Sequence, residues 1–425
     1  MVDRRPRTTV VVTGSELVRG DRRDLNGPFL ASELLRLGLE PDRVVIVGDR
    51  PDELEAAIRE GVESDVCVLS GGLGPTHDDR TVELLARALG RELHVDAGLE
   101  REIGAVSRGY AERLGRPFSD FVHGVRKQAS LPAGAVNLGL AGTAPGVLVE
   151  HGGRVAIALP GPPGELQRLW PAAAEHPALR AVLARLTPRA HRTLRFFGPS
   201  ESAVATVIDA AGGEAPGLDV TVCARDFEIH VDLFVEQGAE ALGDAMELAL
   251  REGFGAQLFS RDERPVEELV VELCRARSLT LATAESCTGG MVGARLTDVP
   301  GASDVYLGGV VAYANDVKEG VLRVPGAVLG AHGAVSSETA AAMAAGVRAV
   351  LGADVGAAVT GVAGPGGGSP DKPVGLVHIH VETPNASESM RFELPGDRSR
   401  IRGRATAFVL HQLRTVLSGP GAARA

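Results

Sequence analysis

The stretch Thr280-Leu-Ala-Thr-Ala-Glu-Ser-Cys-Thr-Gly-Gly290 joins an apolar strand to a glycine turn, and a helix is predicted directly after it, over 289–296. The same alternation of strand, turn and helix continues from about residue 259 to the C-terminal part of the chain, and it also occurs between residues 8 and 159. Alternating strands and helices are typical of a parallel sheet covered by helices on both faces. We therefore predict an α/β protein with two three-layer α/β/α domains.

The segment between these two regions has a different pattern. It contains two predicted helices, 201–209 and 239–252, and two predicted strands, 218–224 and 228–235. This pattern indicates a small α+β connector of the ferredoxin-like type, for which we expect a structural or dimerisation role. The predicted domains are 1–170, 171–258 and 259–425.

Composition excludes several classes of protein. With 425 residues, 44% of them hydrophobic, the chain is typical of a globular protein and not of a disordered one. The formal net charge of -11 repels phosphate backbones, so we expect no direct nucleic-acid partner. The four cysteines lack zinc-site spacing, and the apolar run Thr9–Val12 is too short for a signal peptide or a membrane span. We expect a cytoplasmic protein without membrane contact.

A first chemical motif is Ser70-Gly-Gly-Leu-Gly-Pro-Thr-His-Asp-Asp-Arg-Thr81, between a predicted strand and a predicted helix. Its glycines, Gly71, Gly72 and Gly74, allow backbone N–H groups to converge on a phosphate. Asp78 and Asp79 would repel that phosphate unless a divalent cation lies between them. The alternative is a tight turn in which one aspartate caps the helix. His77 stands alone and is not predicted to be a ligand.

A second motif centres on Ser286, at the junction of strand and helix. The N–H groups of the following turn are suited to stabilise an oxyanion, and the hydroxyl needs a base. A partly buried Lys318 would have a lowered pKa and is a candidate for that base, with Tyr313 as a proton relay. In the alternative interpretation Ser286 is a helix cap, Tyr313 is a packing residue and Lys318 is a solvated surface charge. Cys287 is a rival nucleophile.

A third motif, Val359-Thr-Gly-Val-Ala-Gly-Pro-Gly-Gly-Gly368, follows another predicted strand. It lacks the P-loop lysine and does not fit the dinucleotide-binding spacing, but its glycines permit close approach to a ligand phosphate. A flexible loop without a ligand is equally consistent. Lys372, Arg398 and Arg402 are candidates for positive charge, although solvated side chains are the usual state of such residues.

The N-terminal motifs together resemble the N-terminal domain of the CinA family, which is related to molybdopterin-binding domains. The resemblance is carried by Thr13-Gly-Ser-Glu16, Asp24-Leu-Asn26, Val47-Gly-Asp49, Gly71–Thr81, Gly142-Thr-Ala-Pro-Gly146 and Leu159-Pro-Gly-Pro-Pro-Gly-Glu165. It implies cleavage of ADP-ribose to AMP and ribose 5-phosphate with Mg²⁺, Mn²⁺ or Co²⁺. The implied site residues are Asp24, Asn26, Asp49, Gly71, Gly72, Gly74 and Thr76, with Asp78 and Asp79 on the metal. The chain departs from the family pattern at Gly139-Leu-Ala141.

The C-terminal motifs resemble the CinA C-terminal domain, which also occurs as a free-standing nicotinamide-nucleotide amidohydrolase. They are Ala284–Gly290, Val310–Lys318, Gly333–Ser336, Thr360–Gly368, Lys372–Gly375 and Gly396–Arg398 with Arg402. The resemblance implies hydrolysis of nicotinamide mononucleotide to nicotinate mononucleotide and ammonia, without a cofactor, in a homodimer. Ser286, Tyr313 and Lys318 are then catalytic. The substrate-binding candidates are Glu285, Cys287, Thr288, Gly289, Thr360, Gly364, Gly366, Gly367, Gly368, Lys372, Arg398 and Arg402.

Two other functions remain open at this point. One is an accessory protein, connected with competence or damage, that binds nucleotides without turnover or with a single activity. The other is a molybdopterin-binding protein, which rests on the fold relationship alone. The presence of Ser286, Tyr313 and Lys318 together favours an enzyme with two activities.

Overall fold

The computed structural model describes residues 5–419, so the first four residues of the basic N-terminal segment and residues 420–425 lie outside it. The chain forms two compact units, Met1–Pro188 and Arg189–Ala425. Between residues 5 and 419, none of the helices combines the length and the apolar character that crossing a bilayer requires.

The first unit contains eight strands and eight helices within the described residues. The strands are β1 (Thr8–Thr13), β2 (Arg43–Val47), β3 (Val66–Ser70), β4 (Leu93–Val95), β5 (Ser130–Pro132), β6 (Val136–Leu140), β7 (Pro145–His151) and β8 (Arg154–Leu159). The helices are α1 (Ser15–Val18), α2 (Asn26–Arg36), α3 (Pro51–Gly61), α4 (Thr81–Ala88), α5 (Ala97–Leu114), α6 (Val122–Gln128), α7 (Pro163–Ala174) and α8 (Pro177–Leu183), with a 3-10 turn at Phe118–Asp120. The domain boundary predicted at residue 170 falls inside α7.

The main sheet of this unit has the strand order β2-β1-β3-β8-β7-β6, and β4 pairs with β5 separately. Successive residues of β1 face opposite sides: Val11 packs with α3, α4 and α5, whereas Val10 and Val12 pack with α2, α7 and α8. Because both faces of the sheet are covered by helices, the predicted three-layer α/β/α arrangement is confirmed.

The prediction of a parallel sheet is wrong for its far edge. Strands β2, β1, β3 and β8 are parallel, but β7 and β6 run antiparallel to their neighbours. The reversal occurs at Gly152 and Gly153, which have φ of +56° and +76°. Two successive positive φ values fit the tight hairpin turn that suits twisted strands. This glycine pair was not used in the sequence analysis.

The second unit contains nine strands and eight helices within the described residues. The strands are β9 (Arg189–Phe196), β10 (Leu218–Arg225), β11 (Glu228–Glu236), β12 (Leu258–Ser260), β13 (Leu281–Glu285), β14 (Tyr306–Val311), β15 (Val355–Gly361), β16 (Leu376–Glu382) and β17 (Ser387–Glu393). The helices are α9 (Glu201–Ala210), α10 (Glu240–Phe254), α11 (Val266–Ala276), α12 (Met291–Thr297), α13 (Asn315–Gly320), α14 (Gly326–His332), α15 (Ser337–Leu351) and α16 (Arg398–Ser418), with 3-10 turns at Gly255–Gln257 and Ala302–Asp304.

The first part of this unit has the ferredoxin-like topology that the sequence predicted. Its elements follow in the order β9, α9, β10, β11, α10 and β12, and the antiparallel sheet has the order β10-β11-β9-β12. This is the βαββαβ arrangement of ferredoxin-like folds. The predicted strands 218–224 and 228–235 correspond to β10 and β11, whereas β9 and β12 were not predicted.

The second part is another three-layer α/β/α fold, with the strand order β14-β13-β15-β16-β17. Helices α11, α12 and α16 cover one face, where they pack against Leu281 and Val359 of the sheet. Helix α15 covers the other face, where Val317 and Leu322 also pack. The first three strands are parallel, whereas β16 and β17 are antiparallel, so the sheet is again mixed and not purely parallel.

A buried polar cluster ties the ferredoxin-like part to helix α16. The Glu228 carboxylate accepts hydrogen bonds from His411 Nε2 at 2.8 Å and from His230 Nε2 at 3.1 Å, and the His411 ring stacks on Phe197 at a centroid distance of 3.7 Å. Burial opposes ionisation of Glu228, but the two histidine hydrogen bonds outweigh it and lower its pKa to about 2. The carboxylate is thus a shared acceptor for two elements far apart in sequence.

Removal of this carboxylate is expected to destabilise the second unit. In Glu228→Ala the buried His411 loses its acceptor, and we expect a loss of about 1–3 kcal/mol in the free energy of unfolding, because an unpaired buried polar group keeps its full desolvation cost. Urea denaturation followed by circular dichroism measures this loss. Glu214→Ala, at an exposed glutamate of the same part, serves as the control and should leave the midpoint unchanged. Equal midpoints for both variants would contradict the structural role of the cluster.

Candidate active sites

The second unit places an amine beside a serine hydroxyl at the end of strand β13. Ser286 directly follows the last residue of β13, and Lys318 lies on the short helix α13. Lys318 Nζ donates a hydrogen bond to Ser286 Oγ over 3.2 Å, and only 1% of Lys318 and 8% of Ser286 are exposed. The fold therefore brings together two of the three residues expected to be catalytic, inside the protein.

Backbone carbonyls complete the surroundings of the Lys318 amine. Nζ also donates to the carbonyl oxygens of Ala312 at 2.7 Å and Tyr313 at 3.3 Å. Burial lowers the pKa of the Lys318 ammonium, because the charged form loses its hydration. An amine with a lowered pKa, next to a hydroxyl, is suited to accept the hydroxyl proton.

Tyr313 contacts Lys318 through its backbone carbonyl, whereas its side chain contacts Arg398. The phenol is 60% exposed, and its hydroxyl accepts a hydrogen bond from Arg398 Nη2 at 2.8 Å. Arg398 Nη1 also donates to the carbonyl of Gly364 at 2.8 Å. The predicted residues Tyr313, Arg398 and Gly364 therefore form one group, at the start of the glycine-rich loop.

Cys287, the rival nucleophile, is buried in the hydrophobic core that contains α16. Burial raises the pKa of its thiol to about 12. A thiol needs to lose its proton to act as a nucleophile, so it is inactive near neutral pH. The surroundings of the two side chains therefore favour the Ser286 hydroxyl.

The turn after Ser286 is held by two of the predicted substrate-binding residues. The buried Glu285 carboxylate accepts hydrogen bonds from three backbone N–H groups, those of Gly290 at 2.9 Å, Val292 at 3.1 Å and Gly293 at 2.8 Å. Arg402, on α16, donates from Nε to the carbonyl of Cys287 at 3.0 Å and from Nη2 to the carbonyl of Thr288 at 2.7 Å. The turn itself passes through Gly289 and Gly290, whose φ values of +63° and +98° favour glycine.

The other predicted substrate residues lie on neighbouring segments. Thr360 Oγ1 donates to the carbonyl of Ala334 at 2.7 Å, and Lys372 Nζ donates to the carbonyl of His332 at 2.6 Å. The hydroxyl of Thr288 is buried without a hydrogen-bond partner in the described part of the chain. In the glycine-rich loop Gly364 is buried, whereas Gly366, Gly367 and Gly368 are exposed.

The first unit contains a cavity of about 670 Å³ that gathers most of the predicted N-terminal residues. Its lining includes Asp24, Asn26, Asp49, Gly71, Gly72, Gly74, Asp78 and Asp79. Thr76 is not among the lining residues, but its hydroxyl donates to both Asp78 and Asp79. A side chain at Gly74 would lie 2.4 Å from the Asp79 carboxylate, so this glycine makes room for the carboxylate.

Two polar side chains of this cavity are fixed by hydrogen bonds to neighbouring side chains and backbone groups. Asn26 Nδ2 donates to Ser70 Oγ at 2.9 Å and to the carbonyl of Gly161 at 2.7 Å, whereas its Oδ1 is buried and has no partner among residues 5–419. The Asp49 carboxylate accepts from Thr13 Oγ1 at 3.0 Å and from the Ser15 N–H at 2.8 Å. These contacts hold both side chains at the ends of parallel strands, where α/β sheets bind ligands.

The oxygen donors of the cavity fit a divalent cation only when a ligand completes the site. Among the described residues, no three His, Cys, Asp or Glu side chains are arranged to hold a metal by themselves. Mg²⁺ is usually held by one or two carboxylates together with substrate phosphates. Asp78 and Asp79 provide two adjacent carboxylates of that kind.

Seven polar residues that line this cavity were not predicted as site residues: Thr13, Glu16, Arg22, Arg23, Gln128, Thr143 and Glu165. Burial raises the pKa of the Glu165 carboxyl. Glu165 stands in the Leu159–Glu165 motif, so the motif contained a signal for it. Arg22, Arg23 and Gln128 come from segments without any such signal.

Comparison with known proteins covers nearly the whole chain. Residues 9–181 match the model of a probable molybdopterin binding domain, and residues 263–417 match that of the CinA C-terminal domain. A CinA-like protein of Mycolicibacterium vanbaalenii is 44% identical over 98% of this chain and 99% of its own length, and one of Mycobacterium tuberculosis is 43% identical over 98% of each chain.

Among solved structures, the competence/damage inducible protein CihA from Agrobacterium tumefaciens is 38% identical. It covers 38% of this chain and 99% of its own chain, with a TM-score of 0.35. The near full-length identity to the two CinA-like proteins, together with both domain matches, confirms the resemblance drawn from the motifs. The chain is therefore a member of the CinA family, with a molybdopterin-binding-type domain followed by a CinA C-terminal domain.

Proposed function

We propose that the second unit hydrolyses the carboxamide of nicotinamide mononucleotide, giving nicotinate mononucleotide and ammonia. The observation that carries this proposal is the hydrogen bond between the buried Lys318 amine and the Ser286 hydroxyl. A serine beside a lysine of lowered pKa is a known type of activated nucleophile for acyl transfer. The choice of nicotinamide mononucleotide as the substrate rests on the family resemblance of the motifs around Ser286 and Lys318.

The reaction follows from these groups in two steps. Ser286 Oγ attacks the carboxamide carbon while neutral Lys318 takes the hydroxyl proton, and backbone N–H groups of the 287–289 turn stabilise the oxyanion. The C–N bond then breaks, and the proton on Lys318 passes to the leaving nitrogen, which departs as ammonia. Water attacks the acyl-enzyme, loses a proton to Lys318 and releases the carboxylate, which restores the Ser286 hydroxyl.

We propose that the remaining predicted residues hold the nucleotide. The glycine-rich loop has exposed backbone at Gly366, Gly367 and Gly368, and Arg398 donates to the Gly364 carbonyl at its start. Lys372 follows the loop in the sequence and adds a second positive charge. We propose that the substrate phosphate binds there. Tyr313, through its contact with Arg398, would then border the substrate.

The choice of nucleophile is tested by two adjacent substitutions. We expect Ser286→Ala to lower the rate of ammonia release from nicotinamide mononucleotide by at least about 10⁴-fold, since the nucleophile is lost. Cys287→Ala should keep a measurable reaction, because its buried thiol stays protonated. A coupled ammonia assay measures both rates. Full activity in Ser286→Ala, or an equal loss in Cys287→Ala, would show that Ser286 is not the nucleophile.

The role of Lys318 predicts a pH dependence. The lysine acts in its neutral form, so kcat/KM should rise with pH as Lys318 loses its proton. Because burial lowers its pKa, the midpoint of this rise should lie below the ordinary value of 10.5. Lys318→Arg should be inactive at every pH, since arginine stays protonated. An unchanged pH profile in Lys318→Arg would contradict the proposal.

A second activity is favoured by the carboxylate-lined cavity of the first unit. We propose that this cavity binds ADP-ribose with a divalent cation and splits its pyrophosphate into AMP and ribose 5-phosphate. Asp78 and Asp79 would hold the cation, which would neutralise developing phosphate charge. Arg22 and Arg23 would face the substrate phosphates, and Asn26 Oδ1, which lacks a partner among the described residues, would accept a hydrogen bond from the substrate.

Chelation separates the two activities. EDTA and Asp79→Asn should each abolish release of AMP from ADP-ribose, because phosphate charge is then no longer neutralised, and both should leave ammonia release from nicotinamide mononucleotide unchanged. Liquid chromatography of the products measures the first reaction. Asp120→Asn, at an exposed aspartate outside the cavity, is the matched control. Hydrolysis of ADP-ribose in the presence of EDTA would argue against a metal at Asp78 and Asp79.

A further inference from the structure

We infer that Arg402 is a positioning residue that orients the oxyanion-binding peptides of the turn after Ser286. This inference rests on the proposed deamidase function and assigns a specific task to a residue that was expected to bind substrate. Arg402 would act on the reaction through the backbone, without touching the substrate.

The guanidinium binds two successive peptide groups at once. Its Nε donates to the Cys287 carbonyl at 3.0 Å and its Nη2 to the Thr288 carbonyl at 2.7 Å. The planar fork of arginine suits two acceptors held in fixed geometry, which a lysine ammonium cannot bridge in the same way. The two carbonyl oxygens are therefore pinned on the side of α16.

Because the peptide groups are planar, this contact also determines the direction of the N–H groups of Thr288 and Gly289. In a trans peptide the carbonyl of one residue and the N–H of the next point in opposite directions. The carbonyls of Cys287 and Thr288 point at Arg402, so the N–H groups of Thr288 and Gly289 point away from it. Among residues 5–419 the Gly289 N–H has no hydrogen-bond acceptor, whereas the Thr288 N–H interacts with the Cys287 thiol.

Arg402 and Lys318 belong to helices that pack on opposite faces of the sheet. Arg402 belongs to α16, whose core lies on one face of the sheet with Leu281 and Val359. Helix α13, which carries Lys318, packs through Val317 into the core on the opposite face. The turn is thus approached by Arg402 from one face and by Lys318 from the other.

Glu285 fixes the other end of the same turn. Its carboxylate accepts the N–H groups of Gly290, Val292 and Gly293, so these donors are already used and cannot bind an oxyanion. This leaves the Gly289 N–H, which has no acceptor among residues 5–419, as the donor that we infer serves the developing charge. Donors fixed before the reaction are effective because they need no reorganisation when the charge forms.

Direct binding of the substrate phosphate by Arg402 would give a different kinetic result. A phosphate contact is made equally in the ground state and the transition state, so its loss raises KM and leaves kcat unchanged. Loss of an oriented oxyanion site lowers kcat, because the interaction exists only in the transition state. The two roles are therefore separable in one experiment.

The test compares steady-state hydrolysis of nicotinamide mononucleotide by the full-length wild type, Arg402→Ala and Arg402→Lys. For Arg402→Ala we expect kcat to fall about 10²-fold, as for loss of one oxyanion donor, with KM changed less than about threefold. Arg402→Lys should lose kcat as well, though less. Added guanidinium ion at millimolar concentration should partly restore kcat of Arg402→Ala and should not restore Ser286→Ala. Arg400→Ala, at an exposed arginine of the same helix turn, is the control.

Circular dichroism and thermal midpoints establish that each variant is folded. If Arg402→Ala does not fold, Arg402→Lys is compared with the wild type instead. A raised KM with unchanged kcat in either variant would overturn the positioning role and indicate a phosphate contact. Wild-type kcat in both folded variants would overturn it as well. An inactive wild type would contradict the proposed deamidase itself, and with it this inference.

Discussion

The amine of Lys318 lies inside the second unit, away from bulk water. This placement requires oxygen atoms of the surrounding segments to lie within hydrogen-bond distance of the amine. A buried ammonium without compensation costs several kcal/mol, whereas a neutral amine can be satisfied by hydrogen bonds to oxygen. Here the oxygens come from two backbone carbonyls and one serine hydroxyl. The end of β14, the short α13 and the turn after β13 all have to meet at one point for this to occur. The chemistry of the site is thus a result of how the sheet edge is closed.

The two units use the same structural principle for different chemistry. In each, a parallel strand ends in a glycine turn that opens a helix, and polar groups from the next strands converge there. In the first unit these groups are carboxylates, for which we propose a cation and a substrate phosphate. In the second they are an amine and a hydroxyl, for which we propose an acyl transfer. The overall negative charge of the chain is therefore no obstacle to binding small anions locally.

The motifs that could be predicted from sequence are those encoded locally. The strand, glycine turn and helix around Ser286, and the corresponding segment from Gly71 to Thr81, have apolar runs and glycines in adjacent positions, so their pattern was sufficient. The antiparallel edge strands depend on pairing between distant residues, and the hairpin at Gly152 and Gly153 offered only a short signal. The carbonyl partners of Lys318 and the exposed position of the Tyr313 phenol were not predictable, because they are set by tertiary packing. The start of α16 at Arg398 was not predicted, since the helix was expected from Arg402, although the cap residue Asp397, which accepts a hydrogen bond from the Arg400 N–H, is a local signal for it.

The cluster of Glu228, His230 and His411 has a consequence for how the chain divides. The matched family segment that begins at residue 263 has contacts outside itself, because helix α16 contributes His411 to a polar contact with strand β11 and Phe408 to a ring contact with Phe197. A fragment excised at residue 259 would expose an aromatic face and a histidine without its carboxylate. The segment matched by the family, 263–417, and the compact unit Arg189–Ala425 are therefore not the same stretch of the chain.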